Sequence, residues 1–139
     1  MADIVLDFDG VLTKKDCWPE IRKPSRFAIW VVKKLHKWNH NLILCTSRED
    51  EMLCGGKYHG RHNLLKEALI FLNFYGIYPS MFGAINDNLE CRIMKYGSNC
   101  RKVTGTYLID DMACTFPRVR LLWLFIMLNP IMAKLRGCK

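Results

Sequence analysis

The stretch Ile4-Val5-Leu6-Asp7-Phe8-Asp9-Gly10-Val11-Leu12-Thr13 runs an apolar strand directly into two carboxylates and a glycine. A buried strand normally excludes charge, because an isolated carboxylate in a low-dielectric interior is very costly unless it is paired or metal-bound. The carboxyl ends of parallel strands are also where open α/β sheets place their ligands. The segment therefore predicts a first strand over Ile4 to Leu6, an α/β fold, and a site that contains Asp7 and Asp9. The plainer reading is a strand that ends in a solvated acidic turn. The rest of the chain argues against it.

Outward from this stretch the pattern alternates β and α. Pro24-Ser25 is a helix start, and Phe27, Ala28, Val31, Leu35 and Trp38 recur at helical spacing, so the pattern predicts an amphipathic helix near residues 25–38. Asn39-His40-Asn41 breaks it. Leu42-Ile43-Leu44-Cys45 is a short continuous apolar run, as in a strand covered on both faces. After a hydrophilic loop from Ser47 to about Gly60, Leu65, Ala68, Leu69 and Leu72 predict a second helix, stopped by Gly76. Met81 to Ile85 reads as a third strand and Leu89 to Tyr96 as a short helix ended by Gly97-Ser98-Asn99. Tyr107-Leu108-Ile109 reads as a fourth strand running into Asp110-Asp111, and Pro117 opens a last apolar helix to about residue 133. Strands separated by helices imply a parallel sheet covered on both faces.

Composition bounds the function. A chain of 139 residues, half of them hydrophobic, suits one domain with a substantial core. No stretch reaches the roughly 20 apolar residues of a membrane span, and the beginning lacks the pattern of a signal peptide. Seven scattered cysteines, never spaced C-x-x-C, argue against a disulfide framework and a four-cysteine zinc site. The expected location is therefore cytoplasmic. A net charge of +8, from 21 Lys and Arg against 13 Asp and Glu, favours anionic partners such as phosphorylated metabolites. No aromatic-interleaved basic run supports a dedicated nucleic-acid face.

Three strands deliver polar chemistry at their carboxyl ends: Asp7 and Asp9; Thr46, Ser47 and Arg48; Asp110 and Asp111. In a parallel sheet those ends share one edge. Lys102, just before the fourth strand, has the reach to join them, with Lys95 and Arg101 as basic alternatives nearby. Several carboxylates together repel one another unless a cation sits among them, and oxygen ligands of this kind suit Mg²⁺. A hydroxyl, backbone N–H groups and a lysine beside that metal form a site for a phosphoryl group. One carboxylate can then attack phosphorus and the other move the proton.

Taken in order, Asp7-Phe8-Asp9-Gly10, Thr46 after Leu42-Ile43-Leu44-Cys45, Lys102, and Asp110-Asp111 after Tyr107-Leu108-Ile109 resemble the four motifs of the haloacid dehalogenase superfamily. The resemblance covers roughly residues 3–116. It implies a three-layer Rossmann-like core and a Mg²⁺-dependent phosphomonoester hydrolase working through an aspartyl-phosphate. Asp7 would be nucleophile and metal ligand. Asp9 would be general acid and base, with its backbone carbonyl on the metal. Thr46, Ser47, Arg48 and Lys102 would hold the phosphoryl group. Asp111 would be a further metal ligand, with Asp110 sharing that role or supporting it. Residues 14–41 and 49–101, which separate the motifs, are consumed by the core's own helices and strands, so no cap domain is expected. Met112 stands where close capless relatives would carry Arg or Asn.

The expected substrate is a small phosphorylated metabolite such as a sugar or nucleotide phosphate. Charge and the lack of a cap also admit a polynucleotide end phosphatase, and a catalytically idle domain keeping the fold for interaction is a further alternative. A glycosyltransferase using D-x-D needs a far longer chain, and a phospho-receiver module orders its motifs differently. Cys54, His59 and His62 share one glycine-containing loop but lack a clear fourth zinc ligand. Asn86-Asp87 reads more naturally as a turn or helix start than as part of the site. Trp18 suits either packing or substrate contact. The apolar segment from Leu121 to Ala133 suits packing on the sheet or on another subunit, which leaves a homo-oligomer open.

Overall fold

A computed structural model describes residues 1–14, 19–49, 63–97, 99, 103–110, 124 and 128. The alternation read from sequence is present. In chain order the elements are β1 (Asp3–Leu6), α1 (Arg26–Lys37), β2 (Asn41–Leu44), α2 (Leu64–Phe74), β3 (Phe82–Ile85), α3 (Glu90–Tyr96) and β4 (Tyr107–Ile109).

The helix limits follow from local chemistry. Ser25 caps α1, its hydroxyl accepting from the Ala28 N–H at 3.4 Å, which satisfies a donor that has no partner inside the helix. Ala28, Val31, Val32 and Leu35 form the buried stripe, and Lys34, His36 and Lys37 complement the dipole at the last turn. At the end of α2 the chain needs a left-handed residue, supplied by Gly76 at φ +72°. Its N–H bonds the Asn73 carbonyl at 2.9 Å and that of Ile77 returns to Leu72 at 3.0 Å.

The four strands are all parallel, in the order β3-β2-β1-β4. Alternation divides their side chains between two layers. Ile4, Leu6, Leu42 and Leu44 pack with Val31, Val32 and Leu35 of α1 and Ala68 and Leu72 of α2. Val5 and Ile43 point the other way, against Leu89, Ala84 and Val103. The result is a Rossmann-like α/β sheet with apolar layers on both faces. The chain steps outward from β1 through β2 to β3, then returns to lay β4 on the opposite side of β1. The strand order therefore reverses between β1 and β4, the position at which open α/β sheets form their binding crevice.

Several limits differ from the sequence reading by one residue: β1 begins at Asp3 and β2 ends at Leu44. β2 begins at Asn41, whose side chain donates to Asp3 Oδ1 at 2.7 Å across the sheet edge. β3 begins at Phe82, because Met81 belongs to the short turn Pro79–Met81. α3 begins at Glu90, with Leu89 as its cap position. Of the expected last helix only Leu124 and Leu128 are described, both about half exposed; the rest lies outside the described residues.

Candidate active site

The sheet ladder continues one residue past its strands. Asp7 N–H bonds the Ile109 carbonyl at 2.9 Å, Cys45 N–H that of Leu6 at 2.9 Å, and Asn86 N–H that of Leu44 at 2.7 Å. Asn86, Cys45, Asp7 and Asp110 consequently form one row along the carboxyl edge, with neighbouring backbones about 4.8 Å apart. Asp7 and Asp110 are the pair at the reversal of strand order. Their charge is felt by the thiol beside them: burial pushes Cys45 up, and the carboxylates of Asp7 and Asp110 push it further.

Asp9 occupies a tight turn beyond Asp7. The turn is possible because Gly10 adopts φ +76°, a conformation that side chains disfavour. Thr13 locks it, its hydroxyl accepting from the Gly10 N–H at 3.1 Å and its own N–H reaching the Phe8 carbonyl at 3.1 Å. Phe8, fully buried, meets Phe71 edge-on at 5.8 Å and roots the turn in the core. The chain then leaves and comes back, with Thr13 bridged to Pro24 and the Lys14 N–H bonded to the Lys23 carbonyl at 3.0 Å.

Arg48 is neither a solvated loop arginine nor turned outward as a clamp. Its side chain is 0% exposed. Nε donates to Asp9 Oδ2 at 2.9 Å and Nη2 to Asp9 Oδ1 at 2.8 Å, a two-pronged pair. Nη1 donates to the Pro19 carbonyl at 2.9 Å and Nη2 also to that of Glu20 at 3.3 Å. The guanidinium lies 5.2 Å from the Phe8 ring centre.

The loop after β2 is held from two sides. Thr46 is almost buried, and its hydroxyl oxygen accepts from the Arg48 N–H at 3.3 Å, which leaves the O–H to donate. Ser47 between them is exposed. Asn86, at φ +52°, accepts from the Thr46 N–H at 2.8 Å and donates to the Arg48 carbonyl at 3.0 Å. Asn86 is therefore a brace for the Thr46–Arg48 loop, not a helix start. Its sequence signal was its place immediately after the third strand.

Lys102, Arg101 and Asp111 lie outside the described residues, as do Trp18, Cys54, His59 and His62. The strand approach beyond Lys102 is anchored: buried Asn88 accepts from the Thr104 N–H at 2.8 Å and from its hydroxyl at 3.1 Å. Lys95 is exposed on α3, its ammonium 5.4 Å from the Tyr96 ring centre.

Among the described residues no group of three or more His, Cys, Asp or Glu side chains is arranged to hold a metal ion. Asp9 turns its carboxylate to Arg48, which leaves Asp7 and Asp110 as the adjacent acidic pair. Such a pair fits Mg²⁺, which is commonly bound through one or two carboxylates, with water and substrate phosphate completing its shell.

The fold and its row of polar strand ends define an open, parallel α/β protein with a candidate site at the switch point of the sheet. No family model and no curated protein matches the chain. It is similar to the solved structure of a conserved protein coded by a locus of Bacteroides thetaiotaomicron, at 25% identity and a TM-score of 0.68. That alignment covers 92% of this chain and 91% of the other, so the likeness embraces the whole sheet and not one motif. Among the described residues no helix is long and apolar enough to cross a membrane.

Proposed function

We propose that this chain is a phosphomonoester hydrolase of the haloacid dehalogenase type, acting through an aspartyl-phosphate on Asp7. The observation that carries the reading is the pairing of Asp7 with Asp110 in the extended ladder, at the reversal of strand order. Asp9 and Thr46 stand on the loops beside this pair.

In the first step an Asp7 carboxylate oxygen attacks phosphorus and the bond from phosphorus to the ester oxygen breaks. Asp9 gives its proton to the departing oxygen, which leaves as an alcohol. In the second step water attacks the phosphorus of the acyl phosphate and yields its proton to Asp9. The phosphorus–oxygen bond to Asp7 breaks, and orthophosphate leaves with the starting carboxyls restored. Thr46 donates its hydroxyl to a phosphoryl oxygen, with Ser47 and Lys102 as further contacts for the same group. Asp7 and Asp110, with Asp111 and the Asp9 carbonyl, would hold Mg²⁺, which when bound neutralises phosphoryl charge.

A net charge of +8 suits an anionic substrate, which we read as a small sugar or nucleotide phosphate. The test is hydrolysis of 4-nitrophenyl phosphate by the purified protein, with and without Mg²⁺, beside Asp7→Asn. Mg²⁺-dependent turnover that the substitution abolishes is expected. Equal turnover by the variant refutes the assignment of Asp7.

A further inference from the structure

Helix α1 presents to solvent a face that neither the core nor the candidate active site uses. At 3.6 residues per turn, positions 26, 27, 30, 33, 34, 37 and 38 fall within an arc of about 140°. Every position of that arc is aromatic or basic. Phe27, Trp30 and Trp38 keep 45%, 46% and 41% of their surface in water. Arg26, Lys33 and Lys37 are exposed and Lys34 is half-buried. No Asp or Glu occurs between Glu20 and Glu49, and among the described residues none of the four basic side chains has an acidic partner. The linear order hides this face, because Ala28, Ile29, Val31, Val32 and Leu35 interrupt it and turn to the core.

The rings of Phe27 and Trp30 lie 6.0 Å apart with 32° between their planes. The Lys34 ammonium sits 5.8 Å from the centre of the Trp30 ring. Trp38 stands about 12 Å farther along the axis than Trp30, so Lys33, Lys34 and Lys37 are bracketed by rings. A single exposed aromatic needs no explanation, but here three share one stripe with four cations.

We infer that this face of α1 binds single-stranded nucleic acid, its bases stacked on Phe27 and Trp30 and its phosphates held by Arg26, Lys33, Lys34 and Lys37. The inference goes beyond the hydrolase reading and does not depend on it. An unpaired base offers a flat ring to an aromatic side chain whatever its identity, and the backbone beside it carries a negative charge at every nucleotide. Rings and cations interleaved on one face match that alternation. A duplex keeps its base faces inside the stack and gives Trp30 nothing to stack on. A bilayer surface calls for the opposite pattern, since helices that lie on membranes segregate an apolar face from a basic one. The segregated apolar stripe of α1 is already packed in the core with the sheet.

In the experiment the full chain is titrated into a fluorescein-labelled oligothymidylate of about 15 nucleotides, and separately into its duplex with oligoadenylate. The strands carry no terminal phosphate and the buffer holds EDTA, which keeps the Asp7 edge out of the measurement. The single strand should bind more tightly than the duplex. Because both are read on the same sample, their ratio is independent of the folded fraction. Trp30→Ala should weaken binding of the single strand about tenfold, Trp30→Phe should restore most of it, and Trp30→Leu should not. Joint Lys33→Ala and Lys34→Ala should flatten the slope of log K against log salt by about 1.4, at about 0.7 per phosphate contact. Lys95→Ala, which removes a charge from α3, should change neither quantity. Equal affinity for strand and duplex, or no loss in Trp30→Ala, leaves only general charge attraction and overturns the inference. Absence of oligonucleotide binding at low salt also overturns it, including the case in which the protein sediments instead with phosphatidylserine–phosphatidylcholine vesicles. Neither result bears on turnover at Asp7.

Discussion

Two aspartate–arginine pairs stand at opposite edges of one sheet, and they differ in nearly everything but their chemistry. At the amino edge Arg92 donates to Asp3 through Nε at 2.8 Å and Nη2 at 2.6 Å, both bonds on a single oxygen, while Asn41 takes the other. Both partners keep about a fifth of their side-chain surface in water. At the carboxyl edge Arg48 grips both oxygens of Asp9 and two backbone carbonyls, with no exposure of its own. The amino-edge pair ties α3 to β1 and lies far along the strand from Asp7. The carboxyl-edge pair holds a group two residues from Asp7 and the turn that carries it. The same two side chains thus form a strap between helix and strand at one edge and a buried tie between two loops at the other.

The largest effect belongs to the carboxyl edge itself. Asp7→Asn keeps the shape of the side chain but removes the nucleophile, so Mg²⁺-dependent phosphate release should fall by at least about 10³-fold. Its thermal midpoint should barely move. Next is the contrast between the pairs. Arg48→Met leaves the partly covered Asp9 carboxylate and two backbone carbonyls without their buried donor and should cost about 3 kcal/mol in denaturant unfolding. Arg92→Met should cost about 1 kcal/mol, as a partly hydrated pair does, with turnover unchanged. Similar losses in the two variants would break the comparison.

Asn86→Ala sharpens it. The substitution removes the bonds to the Thr46 N–H and the Arg48 carbonyl while leaving both pairs in place. Unfolding should be easier by about 1–3 kcal/mol, and turnover should fall about tenfold as Thr46 and Arg48 lose their common brace.

A smaller effect separates the edges by pH. Burial pushes the Asp3 carboxyl up, but bonds from Asn41 and Arg92 and the charge of Arg92 outweigh it, so the group sits below the ordinary aspartate range. A carboxyl lowered on folding adds stability above its unfolded value and loses it as pH falls through the lower folded value. The difference in thermal midpoint between wild type and Arg92→Met should therefore shrink on acidification through that window. The smallest effect is at Cys45. Because Asp7 and Asp110 add to the burial that raises its thiol, Asp7→Asn should speed its alkylation by iodoacetamide a few-fold at mildly alkaline pH. Peptide mass spectrometry resolves this cysteine from the other six.

Much of this was legible in the chain. Continuous apolar runs gave the parallel strands, and Ser25 and Gly76 marked helix limits, because those signals are local. Asp7 and Asp110 were placed on one edge by the same logic. The Asp9–Arg48 pair was not legible, since nothing in the linear order matches position 9 with position 48, and a loop arginine between Ser47 and Glu49 reads equally as a phosphate clamp or as solvated. Asn86 escaped for a related reason: its left-handed backbone looks like a turn, and only the three-dimensional register shows both of its side-chain bonds going to the neighbouring loop. Such cross-loop bonds are set by tertiary packing, which periodicity does not encode.

The most direct test of the central proposal is to trap the covalent intermediate. Asp9→Asn protein with Mg²⁺ would be mixed with 4-nitrophenyl phosphate, quenched in acid and digested for mass spectrometry. A phosphoryl group on the peptide at Asp7, absent when Asp7→Asn is added, is the expected result. Phosphate release by wild-type protein with no adduct at Asp7 in any quenched sample, and with Asp7→Asn equally active, would contradict it.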